Sequence, residues 1–106
     1  EENNLKEIGI SRKIDEQVEV LAKMAKETGL DGVVCSPKEI EIIKRIGGLK
    51  IIVPGIRPAA GSDDQKRTLT PKKAKEFGAD YIVVGRPIIQ SDNTLSAART
   101  ILKEVL

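Results

Sequence analysis

The sequence predicts an α/β fold built around a parallel β-sheet. Three short runs rich in Val and Ile, residues 31–35, 50–53 and 81–84, have the length of buried strands. Segments with apolar residues at helical spacing precede and separate these runs. Strands that are apolar on both faces and alternate with helices belong in a parallel sheet. The predicted architecture is therefore one helix followed by three strand–helix units.

The first helix is predicted from the periodicity that begins at Ile14. Apolar residues recur at helical spacing from there to Ala25, and Gly29 then ends the helix because glycine tolerates a left-handed conformation. Residues 1–4 are polar and lack an apolar pattern, which indicates a frayed end.

The remaining helices are predicted from their start and stop signals. Ser36 and Glu39 have the spacing of a capping box, so a second helix begins there and runs to the glycines at 47 and 48. Thr70 followed by a proline caps a third helix that Gly78 ends. A last helix covers residues 95–105, and residues 54–68 form a long irregular loop.

One heptapeptide occurs twice in similar form. Residues 25–31, Ala-Lys-Glu-Thr-Gly-Leu-Asp, resemble residues 74–80, Ala-Lys-Glu-Phe-Gly-Ala-Asp. Each copy leads into a Val/Ile run, which indicates that the same joint between a helix end and a strand is used twice. Duplication and convergent turn chemistry explain this similarity equally well.

Composition excludes several classes of function. The 106 residues suffice for a single domain, residues 1–106, and the net charge of +2 does not indicate nucleic-acid or membrane-surface binding. The sequence contains no His, which rules out His-based dyads and His-ligated metal sites. Only one Phe and one Tyr are available for base stacking. A single Cys fits a reducing cytoplasmic compartment.

Candidate binding residues follow the predicted strands, where parallel α/β proteins bind ligands. Gly85 and Arg86 come directly after the third strand, so backbone N–H groups and a guanidinium could meet an anion. An Arg whose stem covers the rim while its head is solvated explains this pair equally well. Arg57 and Gln65 lie on the long loop, which is either a binding loop or a solvated surface loop.

Three other residues are weaker candidates. Asp63 and Asp64 could form a magnesium site, but adjacent aspartates in a loop are more often solvated turn formers. Cys35 ends an apolar strand without a His to activate it, which favours an inert buried thiol over a nucleophile.

Four ordered segments of this sequence resemble the C-terminal part of the orotidine 5′-phosphate decarboxylase family. The resemblance runs from about Leu5 to the end of the chain. The segments are Gly29-Leu30-Asp31-Gly32-Val33-Val34-Cys35-Ser36, Val53-Pro54-Gly55-Ile56-Arg57-Pro58, Asp64-Gln65-Lys66-Arg67 with Thr70-Pro71, and Gly78-Ala79-Asp80-Tyr81-Ile82-Val83-Val84-Gly85-Arg86-Pro87-Ile88.

The resemblance implies a (β/α)8 TIM barrel whose last three strand–helix units, preceded by a helix, are present here. It implies that Arg86, the backbone at Gly85 and the side chain of Gln65 hold the substrate phosphate. Arg57 would be a further substrate contact. Pro54 and Ile56 would lie near the pyrimidine ring.

The resemblance also implies a reaction without metal or organic cofactor. Orotidine monophosphate would lose carbon dioxide to give uridine monophosphate, through an alternating Lys/Asp network. The family's Asp-x-Lys-x-x-Asp motif is absent from this sequence, and the loop near Asp63 departs from the usual pattern. Since a complete barrel needs about 200 residues or more, we expect a fragment without catalytic residues of its own. Its partner would be the missing N-terminal barrel segment or a second copy of the chain. The alternative is a non-catalytic phosphate-binding or self-assembling half-barrel.

Overall fold

The computed structural model describes residues 2–58 and 69–106, which form helices and parallel strands in alternation. No helix within these two ranges has the length and apolar character needed to cross a membrane. The elements are α1 (Glu2–Glu7), α2 (Ile14–Glu27), β1 (Gly32–Val34), a 3-10 turn (Pro37–Glu39), α3 (Ile40–Ile46), β2 (Lys50–Val53), α4 (Pro71–Phe77), β3 (Tyr81–Ile82), α5 (Arg86–Ile89) and α6 (Thr94–Val105).

The three strands form one parallel sheet in the order β1-β2-β3, which confirms the predicted sheet. Val33 lies opposite Ile51 in the first pairing, and Val53 lies opposite Ile82 in the second. The strand β2 is therefore central, and the outer edges of β1 and β3 pair with no other strand of the described residues. Gly32 is required where β1 meets β2, because a Cβ there would lie 2.6 Å from the carbonyl oxygen of Lys50.

The helix α1 contradicts the prediction of a frayed end, since residues 2–4 are helical. Leu5 is half-buried and lines a cavity with Ile14 and Val18, so α1 places its apolar residue beside the start of α2. The helix ends as Gly9 takes a φ of +87° and its N–H donates to the carbonyl of Lys6 at 3.0 Å.

The predicted helix starts are confirmed by their hydrogen bonds. The Ser36 N–H donates to Glu39 Oε2 at 3.3 Å, which forms the expected capping box. The Thr70 hydroxyl accepts the N–H of Lys73 at 3.2 Å at the start of α4. These local signals orient the two helices that follow β1 and precede β3.

The core lies between the helices and one face of the sheet. Val53 and Ala74 are fully buried there, and Ile40 and Ile43 on α3 are 2% exposed. The other face of the sheet carries side chains that remain largely exposed. These are Val34 at 68%, Tyr81 at 60% and Val83 at 49%.

The two similar heptapeptides form the same joint, which confirms that interpretation. The N–H of Leu30 donates to the Ala25 carbonyl at 3.1 Å, and the N–H of Ala79 donates to the Ala74 carbonyl at 3.0 Å. The intervening glycines have φ angles of +87° at Gly29 and +108° at Gly78. Each joint therefore reverses the chain from a helix into a strand of the parallel sheet.

Candidate functional site

The candidate site lies at the carboxyl ends of β2 and β3, which are neighbours in the sheet. The N–H of Val83 donates to the carbonyl of Val53 at 3.0 Å, so the pairing continues to the last residue of β2. The segments that follow, from Pro54 and from Gly85, therefore begin side by side. The two loops with most of the predicted binding residues thus leave the same edge of the sheet.

The segment after β2 turns sharply and is anchored at both ends. Pro54 is exposed, and Gly55 adopts a φ of +74°, a conformation that strains most other residues. Ile56 is 1% exposed and belongs to the core, so its buried side chain anchors the segment. The backbone N–H of Arg57 donates to the carbonyl of Leu69 at 3.1 Å. This bond joins Arg57, in the first part of the long loop, to Leu69, the residue that directly follows that loop.

The segment after β3 opens directly onto solvent at Gly85. Among residues 2–58 and 69–106, no heavy atom lies within 4 Å of the place where a Cβ would stand on Gly85, so these residues leave its backbone open to a ligand. Arg86 is exposed and begins the short helix α5, which the sequence did not predict. The Gly85 carbonyl accepts N–H groups from Ile88 and Ile89, both at 3.0 Å, and holds the start of that helix in place. A fixed backbone thus places Arg86 just beyond the end of β3, with its side chain exposed.

The structure brings together most of the residues predicted from the sequence. Pro54, Ile56, Arg57, Gly85 and Arg86 all lie just beyond the ends of adjacent strands. Ile56 differs from the others because its side chain is buried in the core.

Three predicted candidates, Gln65, Asp63 and Asp64, lie outside the described residues. Among residues 2–58 and 69–106, no cluster of His, Cys, Asp or Glu side chains could hold a metal ion.

Cys35 lies at the end of β1, on the same edge of the sheet. Its N–H donates to the Ile52 carbonyl at 3.0 Å, and its side chain is 6% exposed. Burial raises the pKa of the thiol, and the nearby Glu39 carboxylate raises it further. The neutral thiol is therefore favoured, which agrees with the prediction of an inert buried cysteine.

Sequence reasoning did not assign two features that position the site. One is the bond between Arg57 and Leu69, which depends on where a long loop returns and has no local signal. The other is Asp80, whose N–H donates to the Ile51 carbonyl at 2.9 Å while its Oδ2 accepts the Ile51 N–H at 2.8 Å. These bonds help to set the register in which β3 pairs with β2. The repeated heptapeptide, which ends in Asp, was the available signal for this second feature.

A cavity lined by α2 and α3 lies away from this edge. It has a volume of about 600 Å³ and lies between α2 and α3, on the outer face of the helices. Its Lys26 ammonium donates to the carbonyl of Ile46 at 3.1 Å, and Lys23 pairs with Glu19 at 3.0 Å. These lining charges already serve contacts within the chain, so the strand ends remain the candidate site.

Comparison with known proteins identifies the family. The sequence model of the Orotidine 5'-phosphate decarboxylase / HUMPS family matches residues 1–101. The orotidine 5'-phosphate decarboxylase of Wolbachia pipientis subsp. Culex pipiens is 53% identical over 104 residues, which cover 96% of this chain and 46% of the relative. That of Pseudoalteromonas translucida is 50% identical over 109 residues, with 99% and 46% covered.

The fold comparison agrees with the sequence comparison. The crystal structure of orotidine 5'-phosphate decarboxylase from Lactobacillus acidophilus superimposes with a TM-score of 0.82 and 42% identity, covering 98% of this chain and 43% of that one. This match confirms the predicted fold class, a partial TIM barrel with three parallel strands. The chain spans about half the length of the curated relatives that it matches. On the evidence of its sequence and its fold, the chain belongs to the orotidine 5′-phosphate decarboxylase / HUMPS family.

Proposed function

We propose that this chain supplies the phosphate-binding side of a cytoplasmic orotidine 5′-phosphate decarboxylase. That enzyme converts orotidine monophosphate to uridine monophosphate and carbon dioxide during pyrimidine nucleotide synthesis. The proposal places the catalytic Lys/Asp network on a segment outside this sequence, because the Asp-x-Lys-x-x-Asp motif is absent here. The chain alone would then bind the nucleotide without decarboxylating it.

The observation that carries the proposal is the adjacency of the ends of β2 and β3. The bond from Val83 to Val53 brings the start of the Pro54–Arg57 segment beside the start of the Gly85–Arg86 segment. In TIM barrels, the loops after the last strands commonly form a phosphate site. Two arginines that leave the same edge suit a dianionic group better than a neutral ligand.

Each residue has a proposed role in holding the nucleotide. The planar fork of Arg86 donates to phosphate oxygens, and the open backbone at Gly85 lets the phosphate come close. Gln65 and Arg57 complete the grip from the long loop. Pro54 and Ile56 line the side facing the pyrimidine, with Ile56 acting from within the core.

Binding the phosphate would also contribute to decarboxylation, although the phosphate lies away from the reacting carbon. Energy gained from a remote, non-reacting part of a substrate can be used at the reacting carbon in the transition state. The long loop that carries Gln65 would close over the phosphate and exclude water. Neither step calls for a metal or an organic cofactor.

A thermal-shift titration with uridine monophosphate tests the site. Saturating ligand, at about 100 times its Kd, stabilises a folded protein by about 2.7 kcal/mol, which raises the melting temperature of a domain of this size by roughly 10 °C or more. Arg86→Ala should abolish most of this shift because the guanidinium is its main phosphate contact. Arg99→Ala is the matched control, since Arg99 is an exposed arginine on α6. A shift of equal size in wild type and Arg86→Ala, or no shift in either, contradicts the proposed site.

A second candidate function is a non-catalytic phosphate-binding or self-assembling half-barrel. The exposed apolar face formed by Val34, Tyr81 and Val83 favours it, because such a face associates readily. The two candidates differ once the remaining part of a relative is added and carbon dioxide release is measured. Release supports the decarboxylase, whereas a stable assembly without release supports the half-barrel.

A further inference from the structure

A single carboxylate sets the pairing of β3 with β2. Asp80 stands just before β3, where its N–H donates to the Ile51 carbonyl at 2.9 Å and its Oδ2 accepts the Ile51 N–H at 2.8 Å. One residue therefore satisfies both backbone polar groups of a residue in the preceding strand. We call these two hydrogen bonds the aspartate clamp.

Asp31 occupies the corresponding place before β1. The joints at residues 25–31 and 74–80 share their helix-end hydrogen bonds and their left-handed glycine, and each ends in Asp directly before its strand. The carbonyl of Asp31 accepts the N–H of Lys50 at 2.9 Å, which engages β2, the strand that follows in the chain. The N–H and the carboxylate of Asp31 correspond to the two groups of Asp80 that bond to β2, the strand preceding β3.

The clamp is not a general feature of the strand starts in this fold. The joint before β2 consists of Gly47, Gly48 and Leu49, without an acidic residue. Both strands that carry the clamp residue follow the repeated heptapeptide. An aspartate directly before the strand is therefore specific to that joint, and in the second copy, which has a preceding strand beside it, the aspartate forms the clamp.

The outer edge of β1 is open in the described part of the chain. There β1 pairs with β2 alone, Asp31 is exposed, and no hydrogen bond involves its N–H or its carboxylate. Next to this edge, Val34 is 68% exposed and Leu21 is 54% exposed. Both line a mainly apolar cavity of about 230 Å³ that reaches Cys35. An edge with unused polar groups and an apolar border is suited to a further strand.

We propose that Asp31 is the clamp residue for an additional parallel strand on the outer edge of β1. The occupant would be a strand from the part of a decarboxylase chain that this sequence does not span, and this assignment rests on the proposed function. More than half of the Lactobacillus acidophilus enzyme lies outside the match, so such a segment exists in that relative. Its apolar side chains would cover Val34 and Leu21 and enter the cavity.

Co-expression with a relative tests the proposal. The probe is the part of the Wolbachia pipientis relative that this chain does not match, and light scattering after size exclusion measures a one-to-one complex. Asp31→Ala should weaken that complex by about tenfold or more, since it removes a charge-assisted hydrogen bond. Asp31→Asn should recover part of the affinity, because the amide oxygen can accept the same N–H. Asp92→Ala, at another exposed aspartate, should leave the complex unchanged.

The isolated chain provides the internal comparison. Asp80→Ala should lower its melting temperature by several degrees, because that clamp is formed within the chain. Asp31→Ala should leave the melting temperature unchanged, because the proposed hydrogen bonds of Asp31 form only when the additional strand is bound. A drop of equal size in both variants would show that Asp31 has an internal structural role and would overturn the proposal.

Other outcomes separate docking from catalysis. Absence of a wild-type complex, or equal affinity in wild type and Asp31→Ala, overturns the clamp. A homodimer that depends on Asp31 and is not displaced by the probe overturns the proposed occupant. A complex that needs Asp31 but releases no carbon dioxide supports the clamp and contradicts the decarboxylase function.

Discussion

At the scale of single residues, Cys35 shows how position controls chemistry. The thiol stands at the end of β1, at the edge where parallel strands present functional groups, yet it is buried against α3 and the core. Burial, and then the Glu39 carboxylate, raise its pKa above the ordinary value of 9.0. Cys35 lies at the edge of the sheet where ligands usually bind, but its surroundings make its thiol unreactive.

We predict that Cys35 reacts slowly with iodoacetamide in the folded protein at pH 7.5 and rapidly in urea. Because the folded pKa exceeds the unfolded one, the stabilising contribution of the neutral thiol is complete below about pH 9. It is lost as the pH rises through the folded pKa. Melting temperature measured from pH 7 to 10.5 should therefore fall more steeply for wild type than for Cys35→Ala. Parallel curves for the two proteins would contradict this assignment.

Residue-level features could be predicted from the sequence where their cause is local. The left-handed glycines at 29 and 78 and the cap at Ser36 depend only on neighbouring residues, and all three were found. The repeated heptapeptide marks Asp80, but its two hydrogen bonds also depend on which strand lies beside β3, and the heptapeptide does not identify that strand. Arg57 and Arg86 could be proposed as ligands from their strand-end positions, and the structure adds that their segments leave the sheet side by side.

At the scale of elements, the longer helices follow periodicity while the short ones do not. The helices α2 and α6 contain 14 and 12 residues, enough for several turns of an apolar pattern. In contrast, α1 and α5 have six and four residues and offer no complete repeat to detect. Both depend on end effects instead, a glycine stop for α1 and the Gly85-Arg86-Pro87 start for α5. These end signals are local, but without an apolar repeat beside them they do not predict a helix.

We predict that Thr70→Ala destabilises the protein by about 1 kcal/mol, within the usual range for a lost N-cap. The Thr70 hydroxyl accepts the Lys73 N–H, and it is the one side-chain cap that the described residues provide at the start of α4. Urea denaturation should show a lower midpoint with an unchanged slope. Thr70→Ser keeps the acceptor and should stay close to wild type; a loss as large as that of the alanine variant would show that the methyl group, not the cap, is responsible.

At the scale of the whole molecule, one sheet has two very different faces. The face toward the helices is closed over Val53 and Ile51, whereas the opposite face leaves Val34, Tyr81 and Val83 largely exposed. The apolar strands were predicted correctly from composition, but a strand's sequence does not reveal which face is covered. Coverage depends on the strands and helices that lie nearby, and in the described part of the chain β1 and β3 are the outermost strands of the sheet.

We predict that the isolated chain self-associates through this face. Light scattering should give a mass that rises with concentration, and Val34→Lys should shift the distribution toward monomer by placing a charge on the face. Phe77→Lys is the matched control, because Phe77 is 54% exposed on α4 but does not belong to that face of the sheet. A well-folded wild-type monomer at all concentrations would contradict the prediction.

The aspartate clamp also provides a common starting point from which the lengths of β2 and β3 can be compared. It fixes β3 against β2 at the start of the strands, whereas the proposed ligands leave at their far ends. The number of residues between the clamp and each strand end then sets how far the two following segments extend beyond the sheet. It is three residues from Ile51 to Pro54 and five from Asp80 to Gly85. Adding one residue to β3 would advance Arg86 by about 3.3 Å and turn alternate side chains to the opposite face. We therefore expect strand length, more than loop composition, to set the distance between the two segments of the proposed phosphate site.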